Sequence, residues 1–198
     1  MQPASDPDQD DFRFRFAGGR PCLDLTATVG QRWGPQVERL RTPQDLACWF
    51  VRAGLTEQPP EVSRQDLAHA RTLREAIYRT ITRRLAGTAA GPGELAIVND
   101  WASRLPPRLW LEPGEDGRLR ARRDATTASA LLAALARDAV ELLGDPLADR
   151  IRQCHADDCA LLFLDTSRAG RRRWCSMATC GARAKMAAYR ARRLQTTS

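Results

Sequence analysis

Four cysteines near the C-terminal end constrain this chain more than any other feature. Cys154, Cys159, Cys175 and Cys180 form a C-x4-C-x15-C-x4-C pattern within 27 residues. Two close pairs separated by a dozen or more residues are what a tetrahedral zinc site requires, each pair on a tight turn and the intervening segment folding back between them. Core size argues the same way. Residues 150–198 hold only Ile151, Leu161, Leu162, Phe163, Leu164 and Leu194 as Leu, Ile, Val or Phe, too few for a segment of that length to fold unaided, and a structural metal is the usual remedy. One structural zinc per chain is therefore expected, with four cysteines closing its coordination shell and leaving no open position for catalysis. Free or redox-active thiols are the other reading of the same residues. His155 adjoins Cys154 and reads as a surface residue or a neighbour of the site. Cys22 and Cys48, in P-C-L and A-C-W contexts, read as small buried apolar residues.

The opening Met1–Asp11 is acidic, bears two prolines and contains no apolar stretch. It reads as disordered and is unlike a secretory signal. Without such a signal a disulfide framework is not expected, and the chain reads as a soluble cytoplasmic protein. No apolar run approaches the roughly 20 residues of a membrane span.

Charge is unevenly distributed. The net charge of +7 is the sum of about −1 over residues 1–149 and +8 over residues 150–198. Such asymmetry points to a polyanion-binding module attached to a near-neutral partner; an inert solvated surface is the plainer alternative. Within the basic part, L-L-F-L-D (161–165), a T-S-R-A-G turn and R-R-R-W (171–174) predict a β-hairpin over the metal, covered by Phe163 and Trp174. After Cys180, the Ala-rich stretch from Gly181 predicts a helix of about three and a half turns. Lys185, Tyr189 and Arg192 share one stripe, and Arg183 shares a face with Arg190. Arg171, Arg172, Arg173, Arg190, Arg192 and Arg193 are the candidates for phosphate contact, Arg183 and Lys185 for base edges, and Arg168 is a further nucleic-acid-binding candidate. Three adjacent arginines cannot all face one groove from a strand, so at least one of Arg171–Arg173 must turn away.

The stretch from Cys154 to Lys185 resembles the CGNR zinc finger. The likeness rests on the four cysteines, F-x-D-x-S-R (163–168), W-C-S-M (174–177) and C-G-x-R (180–183). Ala182 stands where the motif has Asn, so any contact made by that Asn is missing here. The resemblance implies DNA binding by a metal-held module.

The remaining sequence predicts helices. Its apolar content is dominated by 31 alanines, while Ile and Val together number only 10, little material for a large sheet. F-R-F-R-F (12–16) predicts a short strand with Phe12, Phe14 and Phe16 on one face, and 22–29 a short helix or strand. Thr42-Pro43-Gln44-Asp45 and Ser63 with Asp66 are helix starts. From Ser63 the repeat Leu67, Ala70, Leu73, Ile77, Ile81, Leu85 gives one buried stripe. A helix over 94–105, an exposed hairpin 109–111/118–122, a helix over 126–143 carrying Leu131, Leu132, Leu135, Leu142 and Leu143, and a short helix through 147–152 complete the series. Trp33, Trp49, Phe50 and Trp110 read as core before they read as a ligand box.

F-x-F-A-G-G-R-P-C-L-D-L (14–25), T-P-Q-D-L-A-x-W (42–49) and L-R-E-A-I-Y (73–78) resemble the ABATE domain, a mostly helical domain that commonly precedes the CGNR finger in proteins described as stress-induced transcription regulators. Ala27-Thr28 occupies the place of an Asn-Thr pair in that motif. The expected fold is thus mainly α: a helical domain over 12–145 with short β-hairpin elements, serving regulation, dimerisation or ligand sensing, then a four-cysteine finger of β-hairpin and basic helix over 150–195.

Enzyme readings fail on inventory. The two histidines, His69 in a helix and His155 beside a cysteine, belong to no H-E-x-x-H, and neither G-x-S-x-G nor a P-loop is present. The sequence points to a DNA-binding transcription regulator with zinc as cofactor, DNA as partner, and a small-molecule effector and homodimer as possibilities at the helical domain. The alternatives are a zinc-thiolate redox switch, in which arginines around Cys175 would promote oxidation and zinc release, and a finger that contacts protein or RNA.

Overall fold

The computed structural model describes residues 13–114, 116–124 and 127–195. The acidic segment 1–11 and Phe12 lie outside the described residues. Helices dominate and the strands are short, as the mainly α class requires. The chain forms two compact units. One is Leu40–Asp145; the other joins the residues up to Arg39 to those from Pro146 onward.

The continuous unit is built by helices α2 (Pro43–Arg52), α3 (Arg64–Leu85), α4 (Pro92–Ser103) and α5 (Ala128–Gly144). Both capping boxes form. The Thr42 hydroxyl accepts from the Asp45 amide while Asp45 accepts from the Thr42 amide, and Ser63 and Asp66 do the same for α3. Helix α3 buries Leu67, Ala70, Leu73, Ile77 and Ile81, whereas Leu85 in its last turn is 40% exposed. Helices α3, α4 and α5 pack on one another. The buried Ala70, Ala76, Ala133, Ala136 and Ala139 supply the small side chains through which helix axes can approach closely. Trp49 and Phe50 are fully buried core, stacked edge to face with centroids 5.8 Å apart. Cys48 is exposed on α2 rather than buried, since its neighbours Ala47 and Trp49 occupy the inward face. His69 packs edge-on to Trp101 at 5.3 Å. Arg71 donates to the Leu40 carbonyl through Nε and Nη2, at 3.0 and 2.6 Å, and so ties α3 to the start of the unit. Strands β3 (Leu109–Pro113) and β4 (Leu119–Arg123) form the expected exposed hairpin, with Leu111 opposite Ala121.

The discontinuous unit starts with α1 (Pro21–Thr26), β1 (Val29–Gly30) and β2 (Val37–Glu38) and ends with a 3-10 turn (Pro146–Arg150), β5 (Ile151–Gln153), β6 (Leu162–Leu164), a π turn (Met177–Gly181) and α6 (Ala182–Gln195). Three expectations change here. Residues 13–16 form no strand, and no strand among the described residues pairs with them; Phe14 and Phe16 instead meet edge-on at 6.4 Å. The helix expected through 147–152 is a 3-10 turn that gives way to β5 at Ile151. Most consequentially, β6 pairs antiparallel with β5, Arg152 opposite Phe163, and not with 171–174. The first cysteine pair is the loop of this hairpin.

Segment 17–27 joins the same unit through its backbone. The Leu164 amide donates to the Gly18 carbonyl at 2.8 Å, and α1 packs against β6 with Leu23 and Leu25 fully buried. Gly19 takes φ +79°, a left-handed turn that a side chain would oppose. The Gly18 amide donates to Asp24 Oδ1 at 2.8 Å, bracing the turn against α1.

Candidate metal centre and nucleic-acid interface

The two cysteine pairs converge from different local structures. Cys154 and Cys159 flank the loop between β5 and β6, closed by the Cys154 amide donating to the Leu161 carbonyl and the Cys159 amide to that of Ala156. Cys175 precedes the π turn and Cys180 lies within it, where the Gly181 amide donates to the Ser176 carbonyl at 2.9 Å. All four are buried, and their sulfurs lie within 4.8 Å of one another. Cys159 and Cys175 Sγ are 3.8 Å apart, and Cys175 and Cys180 Sγ 3.6 Å. Zn–S bonds of about 2.3 Å at tetrahedral angles set sulfurs about 3.8 Å apart. The geometry fits.

The donor chemistry fits as well. Hydrogen bonds shared among the sulfurs draw the Cys154 thiol far down, push Cys159 up to about 12 and push Cys175 up further. Crowded, buried thiols resist joint deprotonation, whereas a divalent cation at their centre stabilises all four thiolates. The site holds one structural zinc. Ala27, Leu161 and Phe163 form a buried cluster with the four cysteines, and Ala17, Ala156 and Trp174 pack against it.

Polar side chains brace this centre. The Arg183 guanidinium donates to both Asp158 carboxylate oxygens, from Nη1 and, at 3.0 Å, from Nη2, and Nη2 also lies 3.3 Å from Cys180 Sγ. One side chain thus bridges the two cysteine turns, and the Cys180 sulfur and Asp158 hold its proton more firmly than usual. Arg172 likewise turns inward. Its Nε donates to the Trp174 carbonyl at 2.9 Å, Nη2 donates to the Cys175 carbonyl, and the group lies 4.7 Å over the Phe163 ring. Asp165 is buried and accepts from the Ser167 and Arg172 amides at 2.9 Å each. The Ser167 hydroxyl and the Arg172 amide hold its carboxyl down at about 2. Residues 171–174 are organised by these bonds in place of a strand ladder.

Of the residues singled out for nucleic acid, Arg168, Arg171, Arg173, Lys185, Arg190, Arg192 and Arg193 are exposed, while Arg172 and Arg183 have their heads engaged within the finger. Asp158 and Asp165 were missed as structural partners. Asp165 had a local signal, since an Asp two residues before a Ser favours a side-chain-closed turn. Asp158 had none beyond lying between two cysteines.

Because Arg183 donates to a ligand sulfur, its loss should act on the metal. Arg183→Ala should accelerate zinc transfer to a chromophoric chelator by about 10- to 100-fold, the usual cost of removing an outer partner of a ligand. Wild-type transfer rates would make Arg183 irrelevant to the centre.

Comparison with known families agrees with this arrangement. The profile of the ABATE family, described as "Putative stress-induced transcription regulator", matches residues 19–146. The CGNR zinc finger profile matches residues 150–193. No curated protein matches the chain. No helix among the described residues is long and apolar enough to cross a membrane. With nearly two-thirds of its length in the first match and its four-cysteine centre in the second, the chain belongs to the ABATE family and carries a CGNR zinc finger.

Proposed function

We propose that the chain is a DNA-binding transcription regulator of the cytoplasm, in which zinc holds the finger so that α6 and the Arg171/Arg173 pair grip phosphates. The observation that carries this reading is the exposure of α6: Lys185, Met186, Tyr189, Arg190, Arg192 and Arg193 all face solvent. A helix ringed by cations, with no acidic residue of its own, suits a phosphate backbone or a major groove. Arg168, exposed on the turn before Arg171, is a further candidate for phosphate contact. With Arg183 held by Asp158, Lys185 is the candidate for a base edge. In this division of labour the finger contacts DNA and the helical region over 12–145 senses an effector or dimerises, with residues up to Arg39 shared with the finger. No enzymatic role is proposed. Burial of all four sulfurs weighs against an oxidation switch, which needs accessible thiolates.

Duplex binding by the zinc-loaded chain should weaken steeply with salt. Arg171→Ala and Arg173→Ala should each flatten the log–log salt slope by about one on every sequence. Salt-independent binding, or none, would refute the reading.

A further inference from the structure

The discontinuous unit has a partly open cavity of about 60 Å³ beside the metal centre, lined by Arg15, Arg39, Arg183 and Asp158, by β1 and by residues 159–161. Three arginines and one aspartate are among its lining residues, and the aspartate carboxylate is already engaged by Arg183. Arg39 is only 4% exposed, and its Nε donates to the Arg13 carbonyl at 2.9 Å. Gly30 makes room for it, since a Cβ at that position would lie 2.5 Å from Arg39 Nη1 and 2.7 Å from Nη2. Arg15, half-buried at the cavity wall, has no hydrogen bond or ion pair among the described residues. A partly desolvated guanidinium that the described residues leave unpaired is suited to meet an anion.

Size narrows the anion. A water needs about 10–15 Å³ of such space, so the cavity admits roughly four to six water-sized groups. That is the bulk of a tetrahedral oxyanion. Planar guanidinium forks match phosphate oxygens two at a time.

We propose that this cavity is a phosphate pocket, in which Arg15 and Arg39 bind a phosphate group, carried either by the DNA backbone or by free phosphate. It requires no DNA contact by α6, so it can hold where that reading fails. The test titrates inorganic phosphate into the zinc-loaded full chain at constant ionic strength, followed by phosphorus NMR, with zinc content checked in each variant. The wild type should bind saturably in the millimolar range or tighter, Arg15→Ala at least tenfold more weakly, and Arg64→Ala, an exposed arginine of α3, like the wild type. Absence of saturable binding, or equal binding by wild type and Arg15→Ala, overturns the proposal. A DNA salt titration then identifies the source. If Arg15→Ala flattens the salt slope by about one, the pocket takes a backbone phosphate; if its slope equals the wild type's, the pocket takes the free anion.

Discussion

Replacing Cys159 with serine should strip the chain of zinc and unfold more than the finger. Metal content should fall from about one zinc per chain to near none. Binding of a structural zinc contributes about 10–16 kcal/mol in small metal-dependent domains, as much as the whole stability of an ordinary domain at about 5–15 kcal/mol. Without it, three buried thiols and the new serine hydroxyl remain around a core of Ala27, Leu161 and Phe163. The consequence should reach the other end of the sequence. The amides of Leu164, which donates to Gly18, and of Ala27, which donates to Leu23 and Asp24, should lose hydrogen-exchange protection together. The amide of Ile77, inside α3, should keep its protection, since its unit has its own core. Undiminished protection at Ala27 in the zinc-free variant would show that residues 17–27 hold their structure independently of the metal.

The second large effect runs the opposite way, from the early segment to the metal. Leu23 is fully buried in α1, and truncating a buried leucine to alanine costs about 2–5 kcal/mol. If folding of the discontinuous unit and zinc binding are one equilibrium, a loss of about 3 kcal/mol lowers apparent zinc affinity by roughly 100-fold, at about 1.4 kcal/mol per tenfold. Leu23→Ala should therefore weaken zinc binding although Leu23 lies more than 130 residues before the first ligand. Leu46→Ala, equally buried in α2, is the control and should leave zinc affinity unchanged. Equal zinc affinity in Leu23→Ala and wild type would mean that the finger folds without α1.

The metal ligands were legible because zinc coordination is local chemistry, with two tight turns each carrying two sulfurs. Helices α2, α3 and α5 were legible because their caps and apolar repeats are written within one turn or two. What could not be read is pairing across distance. The strand 162–164 has two candidate partners, and no propensity distinguishes 151–153 from 171–174; Asp165 decides by capturing the Arg172 amide. The fate of an arginine is equally non-local. Arg172 and Arg171 are indistinguishable in sequence, yet one covers Phe163 and the other faces solvent. Arg39 carried no signal of burial, since the space it occupies exists only because Gly30 lies against it.

The interleaving of the two units bears on the order in which the chain can fold during synthesis. Residues 13–39 are made first, but β6, against which α1 packs, emerges only after all of Leu40–Asp145. At about 5–20 residues per second, α1 waits several seconds or more with Leu23 and Leu25 uncovered. The intervening unit can fold meanwhile, and its early folding helps. Closing a flexible loop of that length would cost about 4 kcal/mol of chain entropy, much of which is removed once the loop has become a folded body. A mutation that slows folding of α3–α5 should therefore delay zinc uptake on the ribosome even when it leaves every residue around the metal unchanged. A chaperone that shields short apolar helices would find its substrate in α1 during the same interval.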